Sequence, residues 1–178
     1  MTELAKRYGG SLYELAAEES LTESILQELA LAESSCKQEP EYLRLLQIPS
    51  IPKQERCELL DKAFEGMHPY VVNFLKILCE EDLLGELTGC LDAYRERYNE
   101  DHGILEATVT SAVPLTAEER ANLLAKLQAK TGKTISLTEK VDPSILGGLR
   151  LDLAGERLDG TVLRRLELLR DDIANVVL

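Results

Sequence analysis

The segment from residue 141 to residue 162 constrains the fold of this chain more than any other stretch. Apolar and polar residues alternate over residues 149–153, Leu-Arg-Leu-Asp-Leu, which is the period of a half-buried strand. Turn-forming residues lie on both sides of it: Asp142-Pro143-Ser144 and Gly147-Gly148 before, Ala154-Gly155-Glu156 and Asp159-Gly160 after. Apolar residues then recur at helical spacing, at Val162, Leu166, Leu169 and Ile173. The segment holds no nucleophile, metal-ligand set or phosphate-binding loop, which indicates an architectural role rather than a catalytic one.

Gly147 and Gly148 stand where the chain turns into this strand. We expect at least one of them to have a positive φ, because only glycine adopts that conformation without strain.

The first 100 residues predict six helices, and the first, second and sixth carry apolar stripes at helical spacing. Ser20 and Glu23 have the spacing of a capping box, which predicts that they open the second helix. Pro40 and Pro69 suit the first turns of the third and fifth helices. The fifth helix leaves little polar perimeter, since it carries Val71, Val72, Phe74, Leu75, Ile77 and Leu78. Such a helix is central in its domain or covered by a partner.

The pattern changes near Gly103. Residues 105–110 and 135–138 alternate as strands, and between them Thr116 and Glu119 form a second capping box in front of a helix that Gly132 should end. With the segment described first, the predicted order is β-α-β-β-α. The predicted fold class is therefore α+β: an N-terminal six-helix bundle over residues 1–104, followed by a small β-α-β-β-α domain over residues 105–178.

Charge is distributed unevenly. Residues 1–105 hold 10 Lys and Arg against 21 Asp and Glu, a net charge of −11, whereas the remaining residues hold 10 against 11. A chain this acidic is a poor ligand for nucleic acid or for an anionic membrane surface. The acidic half predicts either a partner with basic faces or simply a well-solvated surface.

The cysteines and the N-terminus fit a reducing compartment. Cys36, Cys57, Cys79 and Cys90 have the spacing of neither a zinc site nor a disulfide framework. Cys36 and Cys79 fall on apolar helical positions, which predicts buried thiols. The first residues do not resemble a signal peptide, and no apolar run is long enough to span a membrane.

Groups for catalysis are scarce. His68 and His102 lie beside Pro69 and Gly103 and have no neighbours at a triad or metal-ligand spacing. Gly147-Gly148 lacks the residues of a phosphate loop. Glu80, Glu81 and Asp82 form a charge run at the predicted end of the fifth helix, where the helix dipole disfavours them, which weakly indicates a basic neighbour. We therefore expect no catalytic residue, no cofactor and no metal.

The chain resembles the delta subunit of F-type ATP synthases, whose mitochondrial counterpart is the oligomycin-sensitivity-conferring subunit. The C-terminal segment carries the most specific part of the resemblance. Residues 8–16 look like the family's first helix, residues 74–80 like its fifth, and residues 103–115 like the entry to its second domain. Two departures stand out: Gly9-Gly10 replaces small helix formers and should soften the first helix, and Glu81-Asp82-Leu83 replaces a usual Asn-x-Arg.

The resemblance implies a non-catalytic stator subunit of a rotary proton-translocating ATP synthase. The N-terminal domain would hold the N-terminal helices of alpha subunits in a groove, and the C-terminal domain would hold the b-type subunits of the peripheral stalk. Mapped onto this sequence, the groove residues are Tyr8, Ser11, Leu12, Leu15, Val72, Leu75, Lys76 and Cys79. The resemblance further implies a peripheral subunit on the cytoplasmic face of the bacterial inner membrane, or on the stromal side of a thylakoid.

Two other functions stay open at this point. The first is a generic cytosolic helical adaptor that binds an amphipathic helix of another partner, since the apolar stripes of the first and fifth helices also fit that use. The second is a small transferase or hydrolase, which the scarcity of reactive groups disfavours.

Overall fold

A computed structural model describes residues 2–48, 50–145, 147–153 and 156–160. Its contacts divide the chain into two compact units, the first ending at Tyr98 and the second beginning at Asn99. Helices fill the first unit and a small sheet lies in the second, so the α+β class is confirmed. The predicted last helix, with Val162, Leu166, Leu169 and Ile173, lies outside the described residues.

Six α-helices lie in residues 2–101, of which the last continues past the boundary of the first unit. They are α1 (Glu3–Glu18), α2 (Thr22–Gln38), α3 (Pro40–Leu46), α4 (Lys53–Ala63), α5 (Pro69–Glu80) and α6 (Leu87–Asp101). Pro40 and Pro69 occupy the first turns of α3 and α5 as predicted. A short 3-10 helix, Leu84–Glu86, precedes α6.

The core of the first unit is aliphatic with a few aromatic side chains. Its largest fully buried side chains come from five of the helices: Ile25, Leu29, Leu46, Leu60, Leu75, Leu78 and Tyr94. The Tyr94 ring meets Tyr13 edge-on at 5.2 Å, and the Tyr94 hydroxyl donates to the Thr22 carbonyl oxygen at 2.9 Å. The buried phenol therefore has its polar atom satisfied, as buried tyrosines require.

Gly9 and Gly10 lie inside α1, which is continuous. The two glycines, which we expected to soften the first helix, do not interrupt it. A Cβ at Gly9 would lie 2.3 Å from the Cys90 carbonyl oxygen of α6. No real Cβ atom comes that close to backbone, so the glycine is what lets the two helices meet.

The capping box predicted at Ser20 and Glu23 is wrong. Ser20 has a φ of +58° and closes α1 instead. The Ser20 amide donates to the Ala17 carbonyl oxygen and the Leu21 amide to that of Ala16, the pair of bonds that ends a helix in a left-handed residue. Leu21 takes the N-cap position of α2, without a side-chain hydrogen bond.

The second unit contains, within its described residues, a four-stranded sheet, one complete α-helix and a short 3-10 helix, Pro143–Ile145. The strands are β1 (Ile104–Ser111), β2 (Thr134–Val141), β3 (Leu149–Leu153) and β4 (Glu156–Asp159), and the helix between β1 and β2 is α7 (Ala117–Thr131). The strand order is β2-β1-β3-β4, with β1 parallel to β2 and antiparallel to β3. Leu127 of α7 packs against Ala107 and Ile135, which places the helix on one face of the sheet.

Several turn predictions for this unit are confirmed. Thr116 and Glu119 form both bonds of the capping box, and Gly132 ends α7 with a φ of +67°. Gly148 has a φ of +82°. The predicted element order lacked one strand, because residues 156–159, whose ends Glu156 and Asp159 were read as turn residues, form β4 against β3. Their sequence, Glu-Arg-Leu-Asp, has one apolar residue and no alternation that could have predicted a strand.

Candidate functional site

A cavity of about 500 Å³ lies between α1 and α5 and is open to solvent. We call it the α1–α5 groove. Each helix lines it with residues at i, i+3, i+4 and i+7, which is the spacing of one helical face. On α1 these are Tyr8, Ser11, Leu12 and Leu15; on α5 they are Tyr70, Asn73, Phe74 and Ile77; Arg7 completes the lining.

The floor and the rim of the groove differ in exposure. Leu12 and Phe74 are each 5% exposed and form the floor, where they belong to the core of the unit. Leu15 and Ile77, one on each rim, are 40% and 45% exposed. These two large, partly exposed aliphatic side chains leave apolar surface along an open cavity, and an amphipathic helix could cover it.

One end of the groove is closed by a hydrogen bond between the two helices. The Tyr70 hydroxyl donates to Glu19 Oε1 at 2.9 Å. This bond to Glu19, followed by burial and by the charges of Glu19 and Glu18, raises the pKa of the Tyr70 phenol. Tyr70 is therefore protonated at neutral pH and holds the start of α5 against the end of α1.

The structure brings half of the predicted groove residues to this cavity. Tyr8, Ser11, Leu12 and Leu15 of α1 all line it. The four predicted residues of α5 do not. Leu75 and Cys79 are buried in the core, and Val72 is half-buried and packs against the core. Lys76 is half-buried and pairs with Asp61 Oδ1 at 2.5 Å.

The sequence mapping of α5 chose faces of the helix other than the one that lines this cavity, because α5 is apolar on nearly all sides. The lining residues that it missed are Tyr70, Asn73, Phe74, Ile77 and, on α1, Arg7. A signal was present in the sequence: Asn73 is polar within an apolar run, and it shares one helical face with Tyr70 and Ile77.

The charge run at the end of α5 has basic neighbours within the same unit. Arg56 of α4, 4% exposed, donates from Nη1 to Asp82 Oδ1 and to the Leu46 carbonyl oxygen, both at 2.9 Å. Lys53 Nζ donates to the Glu80 carbonyl oxygen. Asp82 has a φ of +57° and ends α5 as Ser20 ends α1. Asp82 and the Glu80 carbonyl thus tie the end of α5 to α4.

His68 and the two cysteines predicted to be buried have structural surroundings. His68 Nδ1 accepts from the Tyr70 amide at 3.3 Å and caps α5, while its ring stacks edge-on against Tyr70. The predicted burial of Cys36 and Cys79 is confirmed. Burial raises the pKa of the Cys36 thiol to about 11, which makes it a poor nucleophile.

Neither a metal site nor a membrane-spanning helix is found in the described part of the chain. No three His, Cys, Asp or Glu side chains there come together as a set that could hold a metal ion. No helix among the same residues has both the length and the apolar character needed to cross a membrane.

A smaller cavity, of about 260 Å³, lies in the second unit at the end of β1. Residues 111–115 and 147–149 line it together with Glu119 and Leu123. Val113 on its edge is 69% exposed.

The fold matches that of a chain in a solved assembly. A chain of the Toxoplasma gondii mitochondrial ATP synthase hexamer superposes with a TM-score of 0.73, covering 97% of this chain and 98% of that one at 22% identity. At this identity the match defines the fold class that the two chains share.

The sequence comparisons then define the family. The family model described as "ATP synthase delta (OSCP) subunit" matches residues 4–173. Chains named ATP synthase subunit delta are similar over nearly their full length: one from an Exiguobacterium species is 33% identical over 97% of both chains, and one from Clostridioides difficile is 28% identical over 98% of this chain and 97% of that one. The chain belongs to the ATP synthase delta (OSCP) subunit family. It is a structural subunit of the complex that couples proton transport to ATP synthesis, and by itself it is not an enzyme.

Proposed function

We propose that this subunit is the stator link of a rotary ATP synthase, joining the catalytic head to the peripheral stalk. The six helices of the N-terminal part would act as one bundle that holds an N-terminal helix of an alpha subunit. The α1–α5 groove carries the proposal, because it presents two exposed aliphatic rims, Leu15 and Ile77, above a buried apolar floor. A stator link has to resist rotor torque without any chemistry of its own, and a helix held in an apolar groove suits that role.

The second unit would bind the b-type subunits of the stalk, so that the two partners occupy separate parts of the chain. The division into two compact units, each with its own apolar cluster, supports this arrangement. We also propose a peripheral position on the cytoplasmic face of the membrane, in line with the bacterial relatives.

The test of the groove is binding of a peptide that corresponds to the N-terminal segment of the alpha subunit from the same organism. Leu15→Asp and Ile77→Asp each put a charge into the proposed contact. Since both side chains are already 40–45% exposed, the fold should survive. Burying a charge against an apolar helix costs several kcal/mol, so the affinity should fall by a factor of about 10² or more.

A matched control is Leu31→Asp. Leu31 is 58% exposed and lines another cavity, of about 430 Å³, formed with residues of α3 and α4. This variant introduces the same charge on an exposed leucine of the same unit and should bind the peptide normally. If Leu31→Asp abolishes binding while Leu15→Asp and Ile77→Asp leave it intact, the partner helix binds at the other cavity and the assignment is wrong.

A further inference from the structure

The two ends of the α1–α5 groove differ in charge. α1 and α5 run in opposite directions along it, because Tyr70 at the start of α5 bonds to Glu19 at the end of α1. We call the end near Glu19 and Tyr70 the acidic end. The opposite end, lined by Arg7 of α1 and Ile77 of α5, is called the arginine end.

The acidic end carries two carboxylates. Glu18 and Glu19 are exposed, and both act on the Tyr70 hydroxyl. The last turn of α1 contains no basic residue, and the first turn of α5, Pro-Tyr-Val-Val, contains no Lys or Arg. The two helix ends that meet here therefore contribute a charge of −2.

The arginine end has a cation in the lining. Among the residues that line the cavity, Arg7 is the one that carries a charge, so a bound helix would meet a positive charge at this end.

We infer that the partner helix binds in one direction, with its N-terminus at the acidic end and its C-terminus at the arginine end. A helix carries about half a positive charge at its N-terminus and half a negative charge at its C-terminus. The groove therefore favours a helix antiparallel to α1 and parallel to α5. The dipoles of α1 and α5 oppose each other, so together they favour neither direction of the partner helix. The side-chain charges at the two ends therefore determine the direction. The inference rests on the proposed function of the groove.

The same charges define the class of sequence that the groove accepts. From Arg7 to Leu15 the groove follows α1 over nine residues, a rise of about 12 Å, which is two to three turns of a bound helix. The partner should carry apolar residues at i, i+3 or i+4 and i+7 over those turns. A Lys or Arg should precede them, facing Glu18 and Glu19, and an Asp or Glu should follow them, facing Arg7.

The experiment reads the direction by paramagnetic relaxation in the full-length protein. The probe is the alpha-subunit peptide of the same organism with a nitroxide label at its N-terminus. We expect it to broaden the amide signals around Glu19 and Tyr70 and to spare those around Arg7. A label at the C-terminus of the peptide should do the reverse. Broadening around Arg7 by the N-terminal label would overturn the inference while leaving the groove assignment in place. Binding without broadening at either end would show that the groove itself is wrong.

Charge reversal tests the cause of the direction. Glu18→Lys with Glu19→Lys should weaken binding about three- to tenfold at low salt, since each exposed charge interaction is worth up to ~1 kcal/mol, and the loss should shrink at high salt. The control, Glu55→Lys with Glu58→Lys, makes the same charge change on exposed positions of α4 and should bind normally. Adding Arg7→Glu to the first pair should reverse the broadening pattern. An unchanged pattern would mean that apolar packing alone sets the direction, contrary to the inference.

Discussion

α1 meets α6 and α5 in opposite ways. Toward α6 the contact is so close that a Cβ at Gly9 would lie 2.3 Å from the Cys90 carbonyl oxygen and 2.9 Å from the Ala93 Cβ. Toward α5 the helices leave a cavity of about 500 Å³, with Leu15 40% exposed on its rim. Close packing on one side fixes the fold, and the open side keeps apolar surface for a partner. Substitutions should therefore cost stability on the first side and binding on the second.

α5 shows the same contrast between a core face and a groove face, and it gives the largest expected effect. Leu75→Asp would bury an unpaired charge, because Leu75 is fully buried. We expect it to lower the free energy of unfolding by more than about 4 kcal/mol or to prevent folding of the unit. Ile77→Asp should change that free energy by only about 0.5 kcal/mol. Urea unfolding followed by circular dichroism compares the two, and equal destabilisation would mean that α5 has no free face.

The paired glycines test the tight side of α1 directly. Gly9→Ala should destabilise by about 1–3 kcal/mol, because the new Cβ has to push α1 away from α6. Gly10→Ala is the matched control, since nothing lies within 4 Å of its added Cβ outside the helix itself. It should stabilise by roughly 0.5–1 kcal/mol through the lower chain entropy of the unfolded state. The same sign for both variants in chemical unfolding would contradict the close contact.

These glycines also show where sequence reasoning works and where it ends. Local signals were sufficient for the helices: Pro40 and Pro69 mark two helix starts, and Thr116 with Glu119 marks a third. Gly9 was read as a weak point of the first helix. Its function depends on the α6 backbone, which is 81 positions away in sequence and leaves no trace in the local pattern.

The candidate site was predictable to the extent that each helix has a polar side. On α1, polar and apolar residues alternate around the helix, so all four predicted residues line the groove. The four residues predicted on α5 face the core or α4 instead. The sequence could not show this, because a helix that is apolar on nearly all sides gives no sign of which side another helix covers. The left-handed Ser20 was likewise unpredictable, since Ser-x-x-Glu describes a helix start and only the hydrogen bonds of α1 show that Ser20 closes the preceding helix.

A smaller effect is expected where α1 ends. Ser20 holds a φ of +58°, a conformation that costs a residue with a Cβ about 1 kcal/mol. Ser20→Gly should remove that cost. Glycine also loses more conformational entropy on folding than serine, which offsets part of the gain in stability. We expect a net stabilisation of roughly 0.5 kcal/mol. Ser20→Ala keeps the Cβ and should show no gain, so a stabilisation by alanine would mean that the serine side chain, not the backbone, is unfavourable.

The smallest effect concerns the end of α5 and depends on pH. The hydrogen bond from Arg56 is the main cause that lowers the pKa of the Asp82 carboxyl below its usual value of 3.8. Because the carboxylate is favoured in the folded protein, the ion pair stabilises the fold above about pH 3.8, and this contribution is lost as the pH falls through the lowered pKa. Asp82 is largely exposed, so the contribution is small.

Asp82→Asn isolates this contribution. Asparagine tolerates the left-handed backbone of this position but cannot ionise. The wild-type protein should be the more stable of the two at neutral pH, and the difference should shrink as the pH falls below about 3.8. Unfolding free energies of both proteins across that range provide the measurement. If the difference in unfolding free energy between the two proteins does not change with pH, the ion pair with Asp82 contributes nothing to stability. Arg56 would then be held by the Leu46 carbonyl alone, and α4 would be joined to the end of α5 by packing rather than by charge.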